Sequence, residues 1–600
     1  MEISNELKIA RRELLSIPGL ELLDDFYWDG SISKWILKIR LKGTYNPTDF
    51  VPLVTDWYCL ISPSYPYGEI EIHPSLDNGI GATFPHQSHN MQVKNRPWRS
   101  GKICVTTSFG IWGEKYFNKE PFAAKERLHW HFERCRSWLL GAATGSLVAI
   151  GDPFEMPSIP CGNDNLVSFN ENEQTFEKWM EVSEDHGYVV LKEIFSTVAI
   201  TPIISFEAKR TKITYEWGDL ISNSKSGREI DGTWVMFKKI PILDPWDIPI
   251  TWQQLFDIAN EQGVKLKQIL LENVIKAKNK TPALLIVGFP IPKEIGAANE
   301  RIYWLAINLP KIPTIKNGGF RKGSKELYSF QFNLLFRKEN NIQWTNCENW
   351  HKEEISVRGK LPPKFTDLKF AIIGVGAVGS HLAELMVRMG CDNLTLIDCE
   401  LLSVGNLSRH NLTLENIFSG KAEKLAKRLN SIMPSAKITN HRAIFGYELP
   451  EAKLKSLLEE VDVFIDATGD DSTLHFAGLI LNNTDKWFIS ISTGFAANRL
   501  FLFMRQTTNS EIEREFRDKV TPWLQKEQSE NPNPEFPREG IGCWHPVFPA
   551  RQDNISLLVS ASLNRIESFI CDGGASEFLV IERKVNKDGV FEGLKIIADK

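Results

Sequence analysis

"KFAIIGVGAVGSHLAELMVRMG", residues 369–390, decides the fold of the C-terminal part of the chain. Phe370–Ile373 is an apolar run of strand length. Leu382, Leu385, Met386 and Met389 recur at i, i+3, i+4 and i+7, one face of a helix that stops at Gly390. Between them stand Gly374, Gly376 and Gly379. Such glycines allow a tight turn, close approach of backbone to phosphate, and close helix–sheet packing. The helix N-terminus then offers free N–H groups and partial positive charge to an anion. Asp398 closes the next strand, "NLTLID", 24 residues after Gly374, where a carboxylate can accept from ribose hydroxyls. "VDVFIDA" (461–467) and "KWFISIS" (486–492) read as further buried strands. Strands alternating with helices imply a parallel sheet from residue 367 onward. The glycine pattern by itself does not choose between a nicotinamide cofactor and ATP.

The segment 403–434, "SVGNLSRHNLTLENIFSGKAEKLAKRLNSIMP", supplies Asn406, Arg409 and Lys421 soon after Asp398. A dinucleotide site neutralises its pyrophosphate largely with helix N–H groups. A triphosphate about to lose pyrophosphate needs added cations, because charge builds on the leaving group. Taken alone, the Arg and Lys would equally suit a solvated helix start.

Together these residues resemble the adenylating domain of the family that contains ubiquitin-activating enzymes and the bacterial sulfur-carrier activators. That family follows its glycine loop with Asp-x-Asp, Ser-Asn-Leu-x-Arg-Gln, Gly-Lys and Asn-Pro. Here the sequence has Asp398-Cys399-Glu400, Gly405-Asn406-Leu407-Ser408-Arg409-His410, Gly420-Lys421 and Met433-Pro434. Lys421 lies 13 residues before Pro434, the family's spacing, which favours it over Lys424. Glu400 and His410 depart from the pattern. The resemblance implies ATP and magnesium, with Gly374, Gly376, Gly379, Asp398, Asn406, Arg409 and Lys421 on the nucleotide. The family holds magnesium with an Asp after its fourth strand. In "DATGDD" (466–471) Gly469 falls at that place, so Asp470 is the expected ligand, with Asp466 and Asp471 as alternatives.

Cys543 sits in "EGIGCWHPVFPA" (539–550), a Gly- and Pro-rich stretch that fits neither helix nor strand. Eukaryotic members of the family hold a catalytic thiol in Cys-Thr-x-x-x-Phe-Pro. Phe548 and Pro549 keep those offsets, while Trp544 replaces Thr. The resemblance implies that Cys543 takes an acyl group from the acyl-adenylate, as a thiolate can. His545 would suit proton transfer or packing equally.

Residues 1–160 order as helix, antiparallel meander, irregular stretch, cysteine, helix. The first helix is expected to be capped by Asn5, the strands to run 34–43, 55–62 and 69–74, and the last helix to start near Pro121. This order, with "SPSYPYGEIEIHP" (62–74) and "GKICV" (101–105), resembles ubiquitin-conjugating enzymes and makes Cys104 the expected acceptor thiol. The family's His-Pro-Asn is absent. Asn90 and Asn95 are the candidates for its oxyanion donor, which stays unassigned.

A chain of 600 residues is too long for one core. We expect a multidomain α/β and α+β protein: a ubiquitin-conjugating-like α+β domain (1–160), an α+β connecting domain (161–350) and a Rossmann-like adenylating domain (351–600) with a cysteine loop near 505–550. The net charge of −5 gives no global case for nucleic acid or anionic membrane. No run of about 18 apolar residues occurs, and nine cysteines without paired spacing suit reduced thiols in a cytosol. A cytoplasmic protein is therefore expected.

The domain order most resembles the conjugating/activating fusion of cyclic-oligonucleotide anti-phage (CBASS) operons. That implies a cGAS-like nucleotidyltransferase whose C-terminal tail is the substrate, a target lysine or other amine, and homodimers. Two other classes compete. A sulfur-transfer activator would carry a persulfide on Cys543, but usually has Cys-x-x-Cys pairs, absent here. A nicotinamide-dependent oxidoreductase would leave Arg409, Lys421 and both cysteines unexplained. A non-catalytic ubiquitin-fold scaffold would not need both thiols.

Overall fold

The structure is a computed structural model that describes residues 2–105, 120–194, 199–223, 227–276, 283–311, 320, 324–508, 511–539, 545–546 and 548–598. The chain divides into two compact units, Met1–Thr214 with Arg228–Asn349, and Tyr215–Gly227 with Trp350–Lys600.

The first unit opens with the helix Asn5–Leu14. Its cap is Ser4, not Asn5: the Ser4 hydroxyl accepts from Leu7 N, which makes Asn5 the first helical residue. Strands β1 (Leu20–Leu22), β2 (Tyr27–Asp29), β3 (Lys34–Lys42), β4 (Val54–Ile61) and β5 (Ile70–Pro74) follow. They form an antiparallel sheet in the order β1-β3-β4-β5, with β2 also on β3. Leu37 and Ile39 of β3, Trp57, Cys59 and Ile61 of β4, and Ile72 of β5 point to one core. Alternate positions of a strand share a face, so this period-two set builds a continuous apolar wall. The helix Ala124–Thr144 covers it with Leu128, Phe132, Cys135 and Trp138, and ends at Gly145 with φ +69. It begins three residues after Pro121, since Ala123 still has extended backbone. Residues 162–349 contribute an eight-stranded mixed sheet, in which Arg228–Met236 runs parallel to Leu284–Pro292.

The second unit is built on a sheet of β6 (Phe370–Ile373), β7 (Asn393–Ile397), β8 (Lys437–His441), β9 (Val463–Asp466), β10 (Trp487–Thr493), β11 (Arg499–Gln506), β12 (Ser576–Val585) and β13 (Phe591–Ala598). The order is β8-β7-β6-β9-β10-β11-β12-β13, parallel through β10 and antiparallel beyond. Phe370 and Ile372 enter one core with Leu382 and Leu558, while Ala371 and Ile373 enter another with Phe464 and Leu474. A strand whose alternate residues feed two cores is buried on both faces, as a doubly wound parallel strand must be. The chain leaves β6 for β7 on one side and reaches β9 on the other. Crevices in such sheets open at this reversal, outside the carboxyl ends of the strands.

The segment Tyr215–Gly227 belongs to this unit, although it interrupts the first one in sequence. Gly218 N donates to Pro434 O (2.7 Å) and Asp219 N to Ala436 O (2.9 Å), beside β8. A Cβ on Gly218 would lie 2.3 Å from Ala436 O, so only glycine permits this backbone approach. Among the described residues, no helix is long and apolar enough to cross a membrane.

Candidate functional site

β6 ends at Ile373, in register with Ile397 and Asp466 on its neighbours. The glycine loop, Asp398 and the "DATGDD" segment therefore leave the same end of three adjacent strands. Gly374 turns the chain with φ +79, and its N–H donates to Ile397 O (2.8 Å). A Cβ on it would meet Thr468 at 2.6 Å, and one on Gly379 would meet Gly374 O at 2.0 Å. Gly376 differs. It is the N-cap of the helix Ala377–Arg388, and a Cβ there would meet nothing within 4 Å. Beside it is a cavity of about 620 Å³, walled in part by Arg409, Asp466, Asp470, Ser492 and Phe548. An open glycine, a helix N-terminus and an arginine around one cavity are a fit for a nucleotide's phosphates.

The other expected residues do not border this cavity. Asp398 is buried, and its two oxygens accept from Val375 N and Glu400 N, each at 2.8 Å. Burial raises its pKa despite those two bonds. Lys421 is buried at the start of the helix Lys421–Asn430 and pairs with the exposed Glu400. Asn406 accepts from Ser403 N and from its hydroxyl, both at 3.0 Å, capping a short turn of helix. None of Asp398, Asn406 and Lys421 lines the cavity. Arg409 does, and its Nη1 donates to Phe548 O (2.6 Å). That bond joins the cavity wall to the Phe-Pro pair that follows Cys543 in sequence.

Gly469 has φ +65, which suits glycine where the family has Asp. Asp470 caps the helix Asp471–Leu481 by accepting from Thr473 N (2.8 Å). Asp466 is buried and accepts from the Thr468 hydroxyl (2.6 Å), and burial pushes its pKa up to about 6. Asp471 is exposed, also borders the cavity, and pairs with Arg517 at 3.2 Å. Among the described residues there is no group of three or more His, Cys, Asp or Glu that could hold a metal ion. Magnesium beside phosphates needs only one or two carboxylates, and Asp466 and Asp470 on the cavity wall meet that count.

His410, whose role the sequence leaves open, is buried beneath the glycine loop. Its Nε2 donates to Val375 O (2.7 Å) and its Nδ1 accepts from Leu412 N (3.0 Å), so the ring is neutral with the proton on Nε2. Burial brings its pKa down to about 4. The unfolded chain, near 6.5, binds a proton here that the folded chain refuses. The stability His410 contributes is thus complete above pH ~6.5 and lost as pH falls toward 4, at most about 3 kcal/mol. Melting curves of wild type and His410→Gln should converge across that window. Parallel curves would show that the ring titrates normally.

Cys104 is exposed, at the far end of the loop from Phe84, and its N–H donates to His86 O (2.8 Å). It borders a cavity of about 740 Å³ shared with His86, Glu120, His131 and Glu155. Partial burial and then Glu155 raise the thiol pKa, while Arg134 and Lys102 oppose them. Asn90 cannot be the oxyanion donor expected of it. It is buried, its amide hydrogens go to Ile80 O and Ala82 O, and its Oδ1 accepts from Arg99. Asn95 stands exposed in a turn with φ +61 and does not line the cavity. Cys543 lies outside the described residues. On either side of it in sequence, Arg538–Glu539 pairs antiparallel with His545–Pro546.

Residues 355–507 match the ThiF family, and residues 145–350 match the Cap2 central linker domain. The chain is 29% identical over 553 residues to the ATP-dependent ubiquitin transferase-like protein Cap2 of Enterobacter hormaechei, covering 90% of this chain and 89% of that protein. A Cap2 of Pseudomonas aeruginosa is 36% identical over 110 residues, 18% of this chain and 19% of the relative. Ubiquitin-like modifier-activating enzyme 5 of Aedes aegypti is 31% identical over 134 residues, 22% of this chain and 31% of the relative.

Proposed function

We propose that this chain, which matches the Cap2 central linker domain and the ThiF family and is similar to a Cap2 protein over 90% of its length, activates and ligates the C-terminus of a partner protein. The partner's carboxylate attacks the α-phosphate of ATP, and pyrophosphate leaves. Gly376 and the helix N-terminus receive the phosphates, Arg409 offsets the growing charge, and Asp398 and Lys421 hold the loop and its base in place. Asp470, with Asp466, would hold the magnesium that offsets charge on the triphosphate. Cys543 then takes the acyl group from AMP, and Cys104 takes it from Cys543 by thioester exchange. A lysine or other amine of the target attacks the Cys104 thioester to give an amide. The donor is a cGAS-like nucleotidyltransferase with a flexible C-terminal tail, the setting is anti-phage defence, and the adenylating domains pair as homodimers. Residues 1–160 act as a ubiquitin-conjugating-like domain.

One observation carries this reading: the wall of the nucleotide cavity joins the cysteine motif, through Arg409 and the Phe548 carbonyl. This contact supports a reading in which acyl activation occurs beside the segment that would receive the acyl group. The test is exchange of labelled pyrophosphate into ATP by the full chain. Exchange should require the nucleotidyltransferase with its native C-terminus and vanish when that tail is removed. Exchange with no carboxylate donor, or tight binding of NAD with no exchange, would sink it.

A further inference from the structure

Two carboxylates from the segment matched as central linker grip the loop that leads to Cys104. Glu155 Oε1 accepts from His86 N (3.1 Å), and its Oε2 lies 3.2 Å from His86 Nδ1. Asp247 accepts from Thr83 N (3.2 Å) and lies 3.9 Å from His89 Nδ1. His86 itself has φ +57, a conformation that a non-glycine residue keeps when its surroundings hold it. Its carbonyl takes the Cys104 N–H, and its side chain lines the same cavity as Cys104 and Glu155.

A thiol and an imidazole border one cavity, and a carboxylate lies 3.2 Å from the imidazole's Nδ1 without hydrogen-bond geometry, so the residue types of a nucleophile, a base and its orienter are present together. We propose that His86 is the base for the ligation step at Cys104 and that Glu155 is its positioning residue, so the central linker completes the conjugating site. This rests on the thioester reading above. The amine nitrogen attacks the acyl carbon and a C–N bond forms. Its proton passes to His86 Nε2, the C–S bond breaks, and Cys104 leaves as thiolate, which then recovers the proton from the imidazolium. Among the described residues, the other charged groups facing this cavity are Glu69, Lys102, Glu120, Arg127 and His131, with Arg134 also acting on the thiol. Glu120 is already engaged, by Arg127 and His131, each at 2.7 Å.

The experiment loads Cys104 through Cys543 in the full chain, with the nucleotidyltransferase as donor, and follows discharge onto free lysine. His86→Gln should slow discharge about 100-fold and Glu155→Gln about 10-fold, within the range of general-base effects. Loading of Cys104 should stay at the wild-type rate, and His86→Gln should remove the pH-dependent limb of discharge. Labelling of Cys104 by iodoacetamide should move the other way in Glu155→Gln, becoming faster, because the carboxylate holds the thiol pKa up. Wild-type discharge in His86→Gln, or equal loss of loading and discharge, overturns the proposal. A wild-type protein that never carries a thioester on Cys104 overturns the proposed function instead. In that case, unchanged labelling in both variants would also dispose of the pair.

Discussion

In the Cys104→Ala protein, expressed in its own host with its operon neighbours and purified without reductant, a reductant-labile protein adduct should accumulate on Cys543. Removing the second thiol of a relay leaves the acyl group on the first, where only water or added thiol can take it. Cys104→Ala should also lower amide product by more than about 1,000-fold, since a nucleophile acting as one part of a relay has no substitute. Cys543→Ala should lose product equally but carry no adduct, while pyrophosphate exchange stays within about threefold of wild type, because adenylation precedes thiol attack. Mass spectrometry of the adduct would name the donor through its C-terminal peptide. If Cys104→Ala carries nothing, and ATP with every neighbour yields no AMP, the relay is wrong and a persulfide-carrying Cys543 becomes the better account.

The glycine loop gives the second large effect, and it separates folding from binding. Gly376→Val should still fold, losing no more than about 1 kcal/mol for the poorer N-cap, because a Cβ there meets nothing within 4 Å. It should lose pyrophosphate exchange by about 100-fold or more, since the new side chain stands where phosphate must approach backbone. Gly379→Ala should do the reverse in kind. Its Cβ would sit 2.0 Å from the Gly374 carbonyl, and backbone cannot turn aside as a side chain can. A loss of several kcal/mol is expected, at the upper end of overpacking costs or beyond. Calorimetry and exchange on both variants check this. Equal stability of the two variants would mean that the helix and β6 do not pack as closely as described.

Much of the second unit was legible in its sequence because local signals agreed there. The apolar strand, the glycine spacing and the helical face of Leu382 and Met386 all occur within 22 residues. The strand alternation of β3 and β4 was readable for the same reason. What could not be read depends on partners far apart in the chain. His410 meets Val375 across 35 residues, and Glu155 meets His86 across 69. No periodicity encodes either contact. Asn90 misled in the opposite sense: its residue type ahead of Cys104 made it a candidate donor, while its burial spends both side-chain amide hydrogens on loop carbonyls. Asp398 and Lys421 follow their motif in sequence but do not border the cavity. A motif gives identity and order along the chain; which atoms face the cavity depends on packing.

The segment Tyr215–Gly227 has a genetic consequence. Because one folding unit borrows 13 residues from within the coding region of the other, no single recombination breakpoint yields two whole units. A cut after codon 349 would leave the activating half without the strip that covers Pro434 and Ala436. The two halves are thus inherited as one gene or lost as one, and neither can drift into a stand-alone protein by simple fission.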